Sequence, residues 1–533
     1  MPTALHKIWP WIAAIASGLL CAASFPPFNQ TWLAWISLTP LIAATWFSGE
    51  NTRRRWLRNL VLGYVAGLVF FTISFGWLGA LGDLYQSIFL HGLSFLLSLY
   101  LALFFAFWSS FIGIIRPARF TSSARNLFTA FLGGAAWVTH EWIRGWLFSG
   151  FGWDGLGVAF YRNWPLIQIS EFTGVVGLSF AIAFANLIAA AIPVRLFAET
   201  KSRRMRPHFD LTLTMIGLVG LFALGLHAMQ NPPPTRSLRV AAVQANVPQL
   251  EKFDSRFTAE VFAKFSRLSE IALRADRPPD LLVWPESSMP DPVRDPNSAS
   301  NQFVRQFCGS TDAALLLGSL DFENEHDYNA AFLFSEKGER TQEYRKMHLV
   351  PFGEYIPLRN SFPPFAAVAG RWVPGDFTPG PGPVVFSLTS DGIQVAPLIC
   401  FEDTVGDLVR RFAGRGANLL VDITNDAWFL QSVGSQQHLA NALFRCVETR
   451  RPMVRAANTG VTCFIDAFGR VTQILRDDTG NTFTEGVLTG TVDVPSNQRQ
   501  TFYTQHGEWF AEGCAIITAM AIVGMVLIRR KSL

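Results

Sequence analysis

The alternation of apolar and polar stretches divides the chain into two parts. Long apolar runs fill most of the first 230 residues and recur near residue 510, whereas the sequence between them alternates short apolar stretches with polar ones. Because a helix needs about 20 apolar residues to cross a bilayer, the pattern predicts eight membrane-spanning helices, at approximately 8–25, 32–48, 59–81, 88–115, 127–149, 173–194, 211–230 and 510–528. The first run alone is also typical of a signal peptide, but the runs that follow favour a first membrane helix.

Basic residues cluster in every second connection between the predicted helices. Connections rich in Lys and Arg stay in the cytoplasm, so both termini are predicted to be cytoplasmic. The long segment between the seventh and eighth helices then lies outside, which is the periplasm in a Gram-negative cell. The basic residues in question are Lys7, Arg53, Arg54, Arg55, Arg58, Arg116, Arg119, Arg125, Arg195, Lys201, Arg203, Arg204, Arg206, Arg529, Arg530 and Lys531.

Three ionisable residues fall inside the fifth predicted helix, in AAWVTHEWIRGW: His140, Glu141 and Arg144. Ionisable groups at membrane depth are costly and are usually paired or functional. Glu141 and Arg144 are three residues apart, so they can pair on one face of a helix. A structural ion pair and a role in holding a lipid headgroup both fit this pattern.

The part between the seventh and eighth helices predicts an α/β domain. We expect strands in LRVAAVQANV, DLLVWPES, AALLLGSL, GIQVAPLIC and ANLLVDITNDAWF, and a hairpin that turns at Glu336, Lys337 and Gly338. Helical patterns lie between them, for instance at 255–274 and 435–450. Strands that alternate with helices are typical of an α/β or layered αββα fold, and the absence of a glycine-rich phosphate loop argues against a nucleotide site.

Composition and charge narrow the possible partners. Only 16% of the 533 residues are charged, against about 25% in soluble proteins, which fits a membrane protein. A net charge of +4 is mild and predicts no nucleic-acid partner. The six cysteines form no C-x-x-C pair and no zinc-type cluster with histidine, so we expect neither a disulfide framework nor a metal site.

Three predicted strands lead into residues with reactive side chains: Glu286 after VWP, Lys346 after EYR and Cys400 after PLI. Taken singly, each has an ordinary explanation as a loop carboxylate, a surface ammonium or a small core residue. Taken together they suit acyl transfer, in which a thiolate attacks an acyl carbon, a carboxylate moves the protons and an ammonium stabilises the oxyanion. A neighbouring cation also favours the thiolate.

These motifs resemble a known family. VWPES with Glu286, YRKMHLVPFGEYIP with Lys346 and ICFED with Cys400 resemble the Glu-Lys-Cys triad of the carbon–nitrogen hydrolase (nitrilase) superfamily, and TNDAWF at 424–429 fits the same family. KMHLVPFGEYIP joined to eight membrane helices resembles the apolipoprotein N-acyltransferase branch. The resemblance covers nearly the whole chain.

The resemblance implies a fold and a division of the chain. The fold class is a polytopic α-helical membrane domain plus a nitrilase-like αββα sandwich. Residues 1–230 are the membrane domain with helices one to seven, 231–508 are a periplasmic catalytic domain, and 509–533 are helix eight with a cytoplasmic tail. The location implied is the bacterial inner membrane.

The resemblance also implies the roles of site residues. Cys400 is the nucleophile, Glu286 the general base and Lys346 the oxyanion stabiliser. Glu354 is similar to a second essential glutamate that orients the lysine or the base, and Glu402 is similar to another functional acid. Relatives often carry tyrosine where this chain has Phe401, which puts in doubt any role for a hydroxyl there. Further candidate substrate-binding residues are Phe401, Asn425, Trp428, Glu141 and Arg144.

The reaction implied is a two-step acyl exchange. Cys400 takes an acyl chain from a phospholipid, typically the sn-1 chain of phosphatidylethanolamine, and the thioester acylates the α-amine of the diacylglyceryl-cysteine of an apolipoprotein. No metal or organic cofactor is implied. Because both substrates are anchored by acyl chains, we expect apolar loops near the triad, at 362–365, 366–373 and 428–430, although ordinary packing also explains these segments.

Two other functions fit parts of the sequence. A membrane-tethered amidase or nitrilase uses the same triad with water as acceptor, but the membrane helices and KMHLVPFGEYIP favour the transferase. A transporter or lipid-binding scaffold needs no triad, yet all three triad positions are filled, and we find no repeat or broken helix pair of the transporter kind. Cys308, Cys446 and Cys463 share the predicted periplasmic part, where disulfides form, while the implied mechanism needs Cys400 unpaired.

Overall fold

The chain forms two compact units. A computed structural model describes residues 2–49, 54–117, 120, 122–202, 206–357, 359, 375–388 and 392–531. One unit comprises Met1–Asn231 together with Glu508–Leu533, and the other comprises Pro232–Gly507. The first is built from helices, and the second from strands and helices.

Eight longer helices make up most of the described part of the first unit. They are α1 (Pro2–Ala23), α2 (Thr39–Phe47), α3 (Arg55–Ser74), α4 (Leu93–Ile114), α5 (Ser123–Arg144), α6 (Val176–Ser202), α7 (Phe209–Gln230) and the C-terminal helix Trp509–Lys531. Shorter helices lie at Ala80–Leu84, Ile88–His91, Trp164–Ile167 and Ser170–Thr173. Helix α3 packs against α1 and α4, and α5 packs against α6 and the C-terminal helix.

Among the described residues, five helices are long and apolar enough to span a membrane: α3, α4, α6, α7 and Trp509–Leu527. The predicted count of eight is therefore not confirmed. The prediction of one continuous helix at 32–48 is wrong, because this segment holds a 3-10 turn at Thr31–Trp35 and then the nine-residue helix α2. Pro40 lies in the first turn of α2, where proline suits a helix start but cannot continue a preceding helix.

The described residues of the second unit contain twelve strands. They are β1 (Thr235–Gln244), β2 (Leu281–Val283), β3 (Ala314–Glu323), β4 (His326–Phe334), β5 (Arg340–Arg345), β6 (Phe386–Ser387), β7 (Gln394–Ile399), β8 (Leu419–Thr424), β9 (Met453–Ala457), β10 (Cys463–Ile465), β11 (Val471–Ile474) and β12 (Gly486–Pro495). The strands predicted from the sequence, and the hairpin between β4 and β5, are confirmed.

The strands form two six-stranded sheets of matching design. Their orders are β12-β1-β2-β3-β4-β5 and β11-β10-β9-β8-β7-β6. In each sheet the central pairs are parallel, β1–β2–β3 and β7–β8–β9, and the remaining pairs are antiparallel. All six residues of β8 are buried, which explains why the central strands are mostly apolar rather than alternating between apolar and polar residues.

Helices cover both sheets and complete the four-layer arrangement. Helices α8 (Thr258–Leu273) and α9 (Ala299–Cys308) share an apolar core with the first sheet. This core includes Phe265, Trp284 and Phe332. Helix α10 (Gly406–Gly414) packs against β7, and α11 (Gly434–Thr449) packs against α10. A short helix, α12 (Phe502–His506), precedes the end of the unit. The sheets contact each other through β1 with β9 and β4 with β7, so the predicted αββα order is confirmed.

Candidate active site

Cys400 directly follows β7, at the first position of a 3-10 turn that runs from Cys400 to Thr404. Its backbone has φ of +54°, in the left-handed region that costs a non-glycine residue on the order of 1–3 kcal/mol. The sharp turn ends the buried strand and leaves Cys400 half-buried, whereas the other five cysteines are buried; all six are free. Among the six cysteines, Cys400 is therefore the residue with partial solvent exposure.

Glu286 lies in a turn after β2 that is held against β3. The Ser288 backbone N–H donates to the Gly318 carbonyl at 2.8 Å, and the Gly318 N–H donates to the Pro285 carbonyl at 3.2 Å. A Cβ atom at Gly318 would lie 2.7 Å from Glu286 Cα. Glycine at this point of β3 therefore lets the turn with Glu286 approach the sheet.

The Glu286 carboxylate has one engaged oxygen and one open oxygen. Oε1 accepts a hydrogen bond from Asn329 Nδ2 at 2.7 Å. Oε2 is buried, and no donor among the described residues reaches it. This oxygen is free to accept a proton.

Lys346 follows β5, and its side chain is only 1% exposed. Its backbone N–H donates to the Asn329 carbonyl at 2.8 Å, which extends the β4–β5 pairing by one residue. Its Nζ lies 3.0 and 2.9 Å from the two carboxylate oxygens of Glu354, and 3.8 Å from Glu286 Oε1. Burial lowers the pKa of Lys346, but the carboxylates of Glu354 and Glu286 outweigh it and raise the pKa above its ordinary value. The side chain therefore stays an ammonium.

Asn329 on β4 connects the two glutamates. Its Nδ2 donates to Glu286 Oε1 at 2.7 Å and to Glu354 Oε1 at 2.9 Å. One neutral donor thereby holds two carboxylates around the Lys346 ammonium. The sequence analysis missed Asn329, although a polar residue that opens the apolar run NAAFLF is a usable signal.

The Cys400 thiol is held in its protonated form. Burial raises its pKa, the Glu286 carboxylate raises it further, and the Lys346 ammonium acts in the opposite direction. The net shift is well above the ordinary value. A thiol in this state attacks an acyl carbon only if a nearby base takes its proton.

Glu402 joins the segment after Lys346 to the end of β7. Its Oε1 accepts hydrogen bonds from the Tyr344 hydroxyl at 2.7 Å and from the backbone N–H groups of Met347 and His348 at 2.7 and 3.1 Å. Its Oε2 accepts from the Ile399 N–H at 3.0 Å. Burial raises the pKa of Glu402 to about 7, against the opposing hydrogen bond from Tyr344. Glu402 thus links the residues beside Lys346 with those beside Cys400.

The remaining predicted site residues of this unit make other contacts. The Phe401 ring is buried and stacks on His348, with ring centroids 5.6 Å apart. The Asn425 amide donates to Gln249 at 2.6 Å and accepts from Asn458 at 3.0 Å, so its polar atoms connect loops. Trp428 is half-buried in a 3-10 turn and Leu430 is exposed. Segments 362–365 and 366–373 lie outside the described residues.

A buried charged cluster lies on β8, β9, α11 and the Cys400 turn. Arg455 Nη1 lies 3.1 Å from Asp426 Oδ2, and its Nε lies 3.3 Å from Asp422 and 3.6 Å from Asp403. His438 Nε2 lies 2.9 Å from Asp403 Oδ1, and its Nδ1 lies 3.1 Å from Asp426 Oδ1. The sequence analysis missed this cluster, which ties the Cys400 turn to the neighbouring strands.

In the first unit, Glu141 and Arg144 both lie at the end of α5. Glu141 Oε1 accepts hydrogen bonds from Trp137 Nε1 and from the Leu156 N–H, both at 2.7 Å. The Arg144 guanidinium lies over the Phe71 ring, 5.4 Å from its centroid. Each side chain thus contacts neighbours outside the pair, and the predicted ion pair and the predicted role in holding a lipid headgroup both stay predictions.

Metal ligands are not clustered in the part of the chain that the structure describes, where no group of three or more His, Cys, Asp or Glu side chains could hold an ion. The chemistry available at the site is instead that of a thiol, a carboxylate with an open oxygen and a buried ammonium. This set suits acyl transfer through a thioester.

Both units match known protein families. Residues 17–188 match the apolipoprotein N-acyltransferase N-terminal domain, and residues 239–500 match the carbon-nitrogen hydrolase family. An apolipoprotein N-acyltransferase of Geobacter metallireducens is 36% identical, covering 98% of this chain and 96% of that relative. Another, of Allorhizobium ampelinum, is 30% identical and covers 87% of each. Among solved structures, an amidase from Nesterenkonia sp. AN1 is 19% identical over 51% of this chain and 97% of its own, with a TM-score of 0.37.

Proposed function

The chain belongs to the apolipoprotein N-acyltransferase family, and on this premise we propose that it moves an acyl chain from a membrane phospholipid to a lipoprotein. The acceptor is the N-terminal α-amine of diacylglyceryl-cysteine, and the donor is phosphatidylethanolamine. The transfer passes through a thioester on Cys400. The observation that carries this proposal is the convergence of Cys400, Glu286 and Lys346 in one buried site of a chain that also holds membrane-length helices.

In the first half-reaction, Glu286 acts as the general base. Its open oxygen Oε2 takes the proton from Cys400 Sγ, and the thiolate attacks the acyl carbonyl carbon of the phospholipid. The Lys346 ammonium stabilises the oxyanion of the tetrahedral intermediate. When the ester C–O bond breaks, Glu286 returns the proton to the glycerol oxygen, and a lysophospholipid leaves.

In the second half-reaction, the acceptor amine attacks the thioester carbonyl. Glu286 takes a proton from the attacking nitrogen and delivers it to Cys400 Sγ as the C–S bond breaks. The products are an amide-linked acyl chain and the free thiol. Glu354 acts as the positioning carboxylate, because both of its oxygens contact Lys346 and it shares the Asn329 donor with Glu286.

Helices of membrane-spanning length support the assignment of lipid substrates. Each buried CH₂ of an acyl chain is worth about 0.8 kcal/mol of membrane anchoring, so lifting such a substrate into water is expensive. A catalytic unit carried by a membrane unit in the same chain avoids that step. We further propose that residues 231–508 face the periplasm and that the membrane is the bacterial inner membrane.

An intact-mass experiment tests the thioester. The protein is purified in mild detergent and incubated with phosphatidylethanolamine. We expect the mass of one acyl chain to be added and then removed by neutral hydroxylamine, which cleaves thioesters. The Cys400→Ala variant should gain no mass, whereas Cys308→Ala, which removes a buried cysteine of α9, should still be acylated.

Addition of a diacylglyceryl-cysteine peptide then tests the acceptor. We expect the enzyme-bound acyl chain to move to the peptide in a hydroxylamine-resistant amide. Release of fatty acid at the same rate with and without the peptide would mean that water is the acceptor and that the protein is a hydrolase. Absence of both lipid turnover and adduct would contradict the donor assignment.

A further inference from the structure

Lys252 is a buried lysine that the proposed mechanism leaves without a role. It lies in the loop between β1 and α8, where the preceding Glu251 is half-buried and the following Phe253 is 45% exposed, yet Lys252 itself is only 2% exposed. Its Nζ donates to the backbone carbonyl of Glu286 at 2.6 Å. Lysine is almost never fully buried unless its charge is compensated, so this inward orientation needs a cause.

The charges of the site supply that cause. Glu286 and Glu354 bring two carboxylates, and the Lys346 ammonium contacts both oxygens of Glu354 but lies 3.8 Å from Glu286. With Lys346 as the only cation, the site carries one excess negative charge before the thiol ionises. Proton transfer from Cys400 to Glu286 moves this excess charge from the carboxylate to the thiolate but leaves the total charge unchanged. A second ammonium makes the total zero in both states.

The protonation of Lys252 is linked to the same groups. Burial lowers the pKa of Lys252 to about 8, while the charges of Glu286 and Cys400 act in the opposite direction. On its own loop, Asp254 is engaged by Arg256, with Oδ1 and Oδ2 at 3.0 and 2.9 Å from Nε. The charges that act on Lys252 are therefore those of the proposed base and nucleophile.

We propose that Lys252 is a positioning residue of the active site, a second buried cation that fixes the main chain of Glu286 and compensates the Cys400 thiolate while Glu286 holds its proton. This inference rests on the proposed function, because it assigns Lys252 to the same thiol chemistry. Its burial and its bond to a main-chain carbonyl argue against direct contact with a lipid phosphate.

Thiol alkylation tests this role without any lipid. The rate at which iodoacetamide modifies Cys400 is measured across pH in the full-length protein, with Cys400→Ala as the blank. We expect Lys252→Met to react about 10-fold more slowly near pH 7, where the wild-type Lys252 is still protonated, because the thiol pKa rises by about one when the cation is lost. Lys252→Arg, which keeps the charge, should stay within about 3-fold of the wild type.

Lys264→Met is the matched control, since Lys264 on α8 pairs with Glu260 at 3.2 Å, away from these contacts. It should alkylate like the wild type. A wild-type profile for Lys252→Met, or an equal loss in Lys252→Arg and Lys252→Met, would overturn the proposal, because the first denies any effect and the second denies an effect of charge.

A second measurement tests the proposal even if Lys252→Met does not fold. In the wild type, loss of the Lys252 proton near pH 8 should spread the rise in alkylation rate over a broad pH range. Lys252→Arg keeps its charge throughout, so its profile should be steeper. Identical profiles would overturn the proposal. Because alkylation needs no phospholipid, a wild type that alkylates but forms no lipid adduct contradicts the proposed function and not the role of Lys252.

Discussion

At the scale of single residues, Glu402 shows how one buried carboxylate can organise a site without touching the reacting atoms. It accepts four hydrogen bonds, three of them from backbone N–H groups on two different segments. Hydrogen bonds to a carboxylate are stronger than those between neutral groups. Its effect on activity therefore runs through the placement of the residues next to Lys346 and Cys400.

The raised pKa of Glu402 leads to a prediction about stability. Its folded-state pKa of about 7 lies above the unfolded value of about 4.3, so the folded state binds the extra proton between these values and its stability falls as pH rises through that window. Burial and Lys346 lower the pKa of His348 to about 4. This residue therefore makes the stability of the folded state rise with pH up to about pH 6.5, opposite to the effect of Glu402. The comparison must therefore be made between variants at each pH.

We expect Glu402→Gln to be less stable than the wild type near pH 5, because glutamine presents an N–H where the Ile399 N–H needs an acceptor. The difference should shrink by about 1–3 kcal/mol between pH 5 and pH 7.5, as the wild type loses its extra proton. Thermal melts of both proteins at several pH values measure it. A difference that stays constant with pH would show that Glu402 does not titrate in this range.

At the scale of elements, the close approach between β3 and the turn after β2 controls where Glu286 lies. A Cβ at residue 318 would meet the backbone at Glu286 Cα, 2.7 Å away, and at the Ser287 nitrogen, 2.8 Å away. Backbone atoms of a turn hydrogen-bonded to β3 cannot move aside cheaply. We expect Gly318→Ala to slow formation of the acyl-enzyme about 10- to 100-fold, since small misplacements of a catalytic group have effects of this size.

Gly414→Ala is the control for that substitution. A Cβ at Gly414, at the end of α10, has no atom within 4 Å, so the change should leave acylation within about 2-fold of the wild type. The rate is measured by intact mass in both variants. Equal rates for Gly318→Ala and the wild type would mean that the turn tolerates displacement and does not set the position of Glu286.

Elements of the second unit could be predicted from the sequence because buried central strands leave short, mostly apolar runs. The proposed triad could be picked out because its members follow such runs and match motifs of a known family. For Asn329, the polar residue at the start of NAAFLF marks the position, but its role could not be predicted, since that role depends on the β4–β5 register, which brings its carbonyl to the Lys346 N–H. Lys252 carries no sequence signal, because only the loop conformation turns it inward. The prediction of one helix at 32–48 rested on apolar composition alone, which does not show the break before Pro40.

At the scale of the whole molecule, the distribution of basic residues predicts an orientation in the membrane. We expect a cysteine introduced at Asn324, in the turn between β3 and β4, to react with a membrane-impermeant maleimide in spheroplasts. A cysteine at Lys201, at the end of α6, should react only after lysis. Both residues are exposed, so a difference in labelling would report the side of the membrane and not burial within the fold. Labelling of Lys201→Cys in intact spheroplasts would contradict the predicted orientation.

The pairing of β1 with β12 also has a consequence for biosynthesis. The first strand of the catalytic unit pairs antiparallel with its last, from Thr235 with Pro495 to Gln244 with Gly486. At about 5–20 residues per second, the ribosome needs on the order of tens of seconds to make the partner of β1 after β1 has emerged. The sheet edge stays open during that interval, and an open edge invites pairing with other chains. The nascent protein therefore passes through a period in which a chaperone bound to this edge would protect it.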